Sequence, residues 1–249
     1  MFKIAYIFDL DGTLVENDSF RYAIKEIPRT LGLDIDFEEF YNIFLNIYCE
    51  FVKLGKLKEA FDWDLITVLA LRRLGVDCPE DIFHKLVLDG LDKGLVRIKD
   101  HAREILSEIR ERHGKIIVLT NGYRKYQEPV LRKTGLFKLV HVLLTNDDLT
   151  EPKPSRKAFE KAILTTGISD LRKIVFIGDH PYYDIYGALN AGLRRIIWLT
   201  EYHSKGIYPV KKLAESIASY AKKRYDVVLD LSHFYDEKIE VINNLEDVL

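Results

Sequence analysis

Two cysteines, Cys49 and Cys78, are too few for a disulfide framework or a zinc site, so a reduced, cytoplasmic setting is expected. Neither sign of charge prevails: 37 Lys and Arg stand against 39 Asp and Glu, a formal charge of −2. With no lysine/arginine block either, nucleic-acid binding is a poor reading. No apolar run approaches a membrane span, and Asp9 falls too early for the apolar region of a secretory leader. Internal repeats and low-complexity tracts are absent. Methionine is present once and glutamine only as Gln127, beside abundant Lys, Glu and Ile, a bias that suggests a thermophilic source. What is left is 249 residues of ordinary soluble composition, 47% hydrophobic and 31% charged. That length holds one large domain, or a core with a smaller insertion.

One segment carries chemistry on its face. Residues 3–10 form a short, mostly apolar run that suits a buried strand, and Asp9 and Asp11 fall where it gives way to a turn containing Gly12. Strand alternation puts positions 9 and 11 on one side, and Gly12 lets the backbone approach a ligand closely. Two carboxylates held together repel, which raises one pKa or recruits a cation. In open parallel α/β sheets such strand ends are where ligands bind.

Residues 17–92 contain no convincing strand. Apolar residues recur at helical spacing in 36–47 and from Trp63 to Leu74, with Gly75 as a stop and Pro79 near the start of a further helix. A small helical bundle is expected here, inserted into a core of residues 1–16 and 93–249, with Lys93-Gly94 as a hinge. From Asp100, placed to cap a helix that Gly114 stops, helices alternate with strands. The strands are expected at 115–120, 140–145, 173–177 and 195–199, and the helices at 124–134, 155–165 and 181–191. Alternation of this kind means a parallel sheet with right-handed crossovers. A helix over 208–223 and a late strand over 226–231 complete the reading.

Four polar clusters fall at the ends of successive strands: Asp9-Leu10-Asp11-Gly12-Thr13, Thr120-Asn121-Gly122, Glu151-Pro152-Lys153-Pro154 and Gly178-Asp179 with Asp184 five residues on. In order, spacing and surroundings they resemble the haloacid-dehalogenase-like hydrolase superfamily, specifically its phosphatase branch, from Phe2 to about Thr200. The resemblance implies a Rossmann-like α/β core with an all-helical cap, Mg²⁺, and an aspartyl-phosphate intermediate. On it, Asp9 is the nucleophile and Asp11 the acid–base. Mg²⁺ is held by Asp9, Asp179 and the backbone carbonyl of Asp11. Thr120 and Asn121 bind phosphate oxygens through the hydroxyl and backbone N–H groups, at a turn that Gly122 permits. Lys153, stiffened by a proline on either side, neutralises phosphate charge and keeps Asp9 ionised, and Asp184 supports it or reaches the metal through water. His180 has no role. Elementary chemistry agrees, since phosphoryl transfer needs an attacking oxygen, charge neutralisation and a proton for the leaving alkoxide.

The implied substrate is a small phosphate ester, and Glu16, Asn17, Arg21 and Tyr22 are placed to face it. A 2-haloacid dehalogenase would need neither a second Asp nor a metal, a sugar-phosphate mutase would share every core group, and a non-catalytic binding protein would have lost one of them. The chain is expected to act as a monomer or homodimer, with residues 201–249 covering a sheet edge or mediating dimerisation.

Overall fold

The computed structural model describes residues 2–249. β1 (Ala5–Phe8) is buried along its whole length, as a central strand covered on both faces must be. A turn leads to β2 (Val15–Asn17), and five helices follow: α1 (Ser19–Thr30), α2 (Phe37–Lys53), α3 (Leu57–Ala60), α4 (Trp63–Arg73) and α5 (Ile82–Asp92). Asp36 and Asp62 start α2 and α4 by accepting from the backbone N–H groups of Glu39 and Leu65, which the first turn would otherwise leave without partners. The apolar faces meet through rings: Phe44 stacks on Trp63 at 5.9 Å and on Phe83 at 5.9 Å. The chain then returns through β3 (Val96–Ile98), antiparallel to β2, so the helical insertion hangs from a two-stranded ribbon.

Alternation begins after α6 (Ala102–Glu111). In order come β4 (Lys115–Leu119), α7 (Arg124–Lys133), β5 (Val142–Leu144), α8 (Arg156–Thr166) and β6 (Ile174–Gly178). A π-helical turn, Pro181–Tyr186, runs into α9 (Gly187–Asn190), followed by β7 (Arg195–Leu199), β8 (Gly206–Pro209), α10 (Val210–Tyr225) and β9 (Lys238–Ile242). The sheet order is β5-β4-β1-β6-β7-β9-β8, parallel throughout except for β8. This is the parallel sheet expected from the alternation, in the Rossmann-like α/β form that the resemblance implies. Its faces read off β1: Tyr6 and Phe8 enter one apolar cluster, and Ile7 enters the other. Among the described residues no helix is long and apolar enough to cross a membrane.

Three local expectations are corrected. Residues 226–231 are not a strand: Asp226 closes α10 in the left-handed region (φ 58°), Val228 is 79% exposed, and Asp230 accepts from the Ser232 N–H. The late strand is β9, whose alternation Lys-Ile-Glu-Val-Ile buries Ile239 and Val241. Asp100 does not cap α6. His101, at φ 62°, occupies the cap position without a side-chain bond, and α6 stops at Glu111 with His113, not Gly114, in the left-handed region. The helix expected from Tyr208 starts at Val210, because Tyr208 and Pro209 belong to an edge strand, where proline is tolerated.

Candidate active site

Neighbouring strands deliver the polar clusters to one place. The Asp9 N–H donates to the Ile177 carbonyl at 2.9 Å, carrying the β1–β6 ladder one residue past the strand. Thr120 leaves the adjacent β4, and Asp179 leaves β6 on the other side. Strands lie roughly 4.8 Å apart, so these three chain ends sit within reach of a single small anion.

Lys153 arrives from the loop before α8 and is 1% exposed. Its Nζ donates to Asp9 Oδ1 and to Asp184 Oδ1, each at 2.6 Å. Asp184, in the π-helical turn, accepts the His180 backbone N–H on its other oxygen at 3.0 Å. The Asn121 side chain fixes the lysine's backbone: Nδ2 donates to the Lys153 carbonyl and Oδ1 accepts the Lys153 N–H, both at 2.8 Å. Asn146 in turn donates to the Asn121 carbonyl at 3.0 Å. Asn121 thus spends its amide on the loop, leaving its backbone N–H and the Thr120 hydroxyl hydrogen without a protein acceptor among the described residues.

Asp11 is held apart from that cluster. Asn17 donates to its Oδ1 at 3.1 Å and Gln127 to its Oδ2 at 2.8 Å. Gly12 is required twice over: its φ is +87°, and a Cβ there would sit 2.4 Å from Asp179 Oδ2. Gly122 is required by contact alone, since its Cβ would fall 2.2 Å from Gln127 Nε2. Thr13 donates to Asp179 Oδ1 at 3.3 Å.

Electrostatics follow from burial. Burial pushes the Asp9 carboxyl well above the usual range, Lys153 opposes this, and Asp184 and Asp179 add to it. Burial and Asp184 lift Asp179 to about 7. Burial also raises Asp11, against the hydrogen bonds from Gln127 and Asn17. For Lys153, burial works against the ammonium, but Asp184 and Asp9 outweigh it and hold the group charged.

One carboxylate oxygen each from Asp9, Asp179 and Asp184 lies within 4.8 Å of the others. Three carboxyl groups share one ammonium in a buried place, an excess of acidic oxygen that a cation would offset. Hard oxygen donors and that excess fit Mg²⁺ better than a softer metal. The Asp11 carboxylate is not part of the group, and Asp184, expected to support Lys153 or to reach the metal through water, is close enough to belong to it.

Above these residues opens a cavity of about 550 Å³, between the strand ends and α1, α2, α4 and α10. Glu16 and Asn17 line it as expected. Arg21 and Tyr22 do not: the Arg21 guanidinium lies over the Phe37 ring at 5.2 Å, and the Tyr22 hydroxyl donates to Asp89 at 2.5 Å. His180 has a definite environment that the sequence did not disclose. Its Nδ1 accepts the N–H groups of Tyr182 and Tyr183, so the proton of the neutral ring is on Nε2, 3.1 Å from the Tyr225 hydroxyl. Burial lowers its pKa to about 4.

A model of the haloacid dehalogenase-like hydrolase family matches residues 5–192. The chain belongs to the haloacid dehalogenase-like hydrolase family. The hydrolase is 29% identical over 204 residues to a glyceraldehyde 3-phosphate phosphatase of Pyrococcus abyssi, covering 79% of this chain and 81% of the relative. It is 33% identical over 111 residues to the pyrimidine 5′-nucleotidase YjjG of Escherichia coli, a match that spans 43% of this chain and 48% of that relative. Among solved structures, the magnesium-bound HAD hydrolase YfnB of Bacillus subtilis superposes with a TM-score of 0.68 at 17% identity, over 100% of this chain and 97% of that one, a likeness of fold.

Several residues of the hydrolase's site were given no role from sequence. Thr13 stood inside the first motif and Gln127 belonged to the resemblance, but neither was assigned a contact. Asn146 gave no signal, being one more polar residue after a strand. Tyr220, Arg224 and Tyr225 of α10 line the cavity from beyond the matched segment.

Proposed function

We propose that this hydrolase is a Mg²⁺-dependent phosphatase that cleaves a small-molecule phosphomonoester through a phosphorylated Asp9. The observation that carries the reading is the buried Lys153 ammonium held 2.6 Å from both Asp9 and Asp184, with Asp179 beside them. Residues 1–16 and 93–249 are taken as the catalytic core and 17–92 as the cap. The names of the relatives supply the reaction class, since a triose phosphate and a nucleotide have only the phosphomonoester in common.

In this reading an Asp9 carboxylate oxygen attacks phosphorus while the bond to the leaving oxygen breaks. Asp11, whose carboxyl burial raises above the usual range and which Asn17 and Gln127 aim, gives the leaving alkoxide its proton. Asp11 then takes a proton from water as that water attacks phosphorus. The Asp9–phosphorus bond breaks, inorganic phosphate departs, and both carboxyl groups return to their starting states. Lys153, the Thr120 hydroxyl and the Asn121 N–H meet the phosphoryl oxygens, preorganised on residues that are themselves buried. Asp9, Asp179 and the Asp11 carbonyl, with Asp184 within reach, would hold Mg²⁺, which supplies charge neutralisation for the phosphoryl group and for Asp9.

Two outcomes test this. EDTA should silence turnover of p-nitrophenyl phosphate and Mg²⁺ restore it, and Mg²⁺ alone should raise the melting temperature of metal-free protein, because a ligand bound only by the native state stabilises it. Turnover indifferent to metal would overturn the Mg²⁺ requirement. Asp11→Asn should lower kcat by about 10²–10⁴-fold, the usual contribution of a positioned acid–base. Its circular dichroism spectrum should stay that of the parent, since asparagine fills the same volume. A variant as active as the parent removes Asp11 from the mechanism.

A further inference from the structure

Asp184 is held against Lys153 by a turn of a kind that is rare and concentrates at functional sites. The π-helical turn opens on Pro181, which has no N–H to satisfy. The next two backbone N–H groups, of Tyr182 and Tyr183, have no acceptor within the turn. Both donate to one atom, His180 Nδ1, at 3.2 and 3.0 Å. The His180 carbonyl accepts the Asp184 N–H at 3.0 Å, and the His180 N–H donates to Asp184 Oδ2 at 3.0 Å. One residue therefore grips both the start of the turn and Asp184 itself.

Serine, threonine, aspartate and asparagine are the usual caps of such a start, each with a short side chain. Histidine does the same here with Nδ1 and has a second nitrogen left over. With Nδ1 accepting, Nε2 carries the hydrogen and donates to the Tyr225 hydroxyl of α10 at 3.1 Å. The imidazole also lies 4.4 Å from the Tyr183 ring, centre to centre. Tyr225 is buried and packs on Tyr182 at 5.6 Å and on Tyr183 at 5.5 Å, so its hydroxyl is a fixed acceptor. α10 is itself tied to α2, since Lys53 Nζ donates to Asp226 Oδ2 at 2.6 Å. A serine hydroxyl, one bond beyond Cβ, would cap the turn but stop short of α10.

We infer that His180 is a positioning residue for the reaction: Nδ1 holds the turn that aims Asp184 at Lys153, and Nε2–H anchors that turn to Tyr225. The inference rests on the phosphatase reading and goes beyond it, by giving α10, outside the matched segment 5–192, a part in the aim of Lys153. Loosening the turn leaves Lys153 its bond to Asp9 but frees it from Asp184. The cost therefore falls on alignment of the reacting groups rather than on capture of the ester.

Steady-state kinetics of the full chain on p-nitrophenyl phosphate with Mg²⁺ test it. His180→Ala should lower kcat by about 10–100-fold with KM within about twofold, the scale on which supporting partners of a site act. His180→Asn, whose Oδ1 can accept the same N–H groups, should recover kcat to within about fivefold of the parent. Tyr225→Phe should lower the parent's kcat by about fivefold, the worth of one hydrogen bond, and leave that of His180→Asn unchanged, because Tyr225 acts only through the imidazole. The asparagine and phenylalanine variants carry the test if the alanine variant fails to fold. Nitrogen-15 NMR at neutral pH, with the His180 signals identified by their loss in His180→Asn, should show Nδ1 bare and Nε2 protonated. Alanine kcat within about twofold of the parent overturns the inference, as do equal losses for alanine and asparagine, a loss confined to KM, an additive effect of Tyr225→Phe, or a proton on Nδ1. Each of these leaves the phosphatase reading standing. A parent that does not hydrolyse the ester overturns that reading and the inference with it.

Discussion

Asp9→Asn is expected to abolish turnover of p-nitrophenyl phosphate, by roughly 10⁴-fold or more, the scale on which enzymes lose rate when their nucleophile is removed. The amide is a poor nucleophile, yet its oxygen can still accept from Lys153, and the replacement removes a charge that Asp179 and Asp184 oppose. The melting temperature should therefore stay within a few degrees of the parent's or rise, which separates lost chemistry from lost structure. Turnover within tenfold of the parent would take Asp9 out of the mechanism.

Lys153→Met is expected to damage both activity and stability. The side chain is 1% exposed and stands between Asp9 and Asp184, so methionine fills much of the volume but leaves two buried carboxylates without their cation. Removing one partner of a buried ion pair costs about 3–5 kcal/mol. For a chain of this length each kcal/mol shifts the melting temperature by roughly 2–4 °C, so a fall of about 6–20 °C should appear in thermal denaturation. The deficit has a definite pH sign. Burial already lifts the Asp9 carboxyl above its unfolded value, and removing the ammonium lifts it further, so the variant's native state binds protons more readily than its unfolded state does. Its stability falls as pH rises through that window, and the gap from the parent should be wider at pH 8 than at pH 5. A variant that melts within about 2 °C of the parent at pH 8 would show that the cluster is not held by this charge.

How much of this was legible in the residues differs with the kind of signal. β1, β4, β6 and β7 were readable because a strand buried on both faces has to be an apolar run, and their ends could be found because Asp9, Thr120 and Asp179 interrupt those runs. Lys153 was legible as a position from its flanking prolines, and its company with Asp9 and Asp184 from the resemblance, but the π-helical turn that carries Asp184 is one that no spacing announces. The 226–231 segment misled because Val227, Val228 and Leu229 satisfy the composition of a strand while the ladder partners lie elsewhere. Arg21 and Tyr22 misled differently: they follow the linker closely in sequence, but α1 turns Arg21 onto the Phe37 ring and Tyr22 toward Asp89 of α5. The ring-lined end of the cavity was hidden most completely, since it is assembled from α2, α4 and α10, with lining residues as far apart as Tyr41 and Tyr225, and none of these segments carries a motif by itself.

The pairing of β1 has a consequence for what a misfolded copy could be. Ala5 is opposite Ile174 and Phe8 opposite Ile177, and the same ladder then places Asp9. A slip of one residue would turn Tyr6 and Phe8 out of their cluster and Asp9 away from Lys153 in the same movement. Correct assembly of the oily interior and correct aim of the reactive carboxylate are thus one event, and a molecule with its sheet in order has its chemistry in order too.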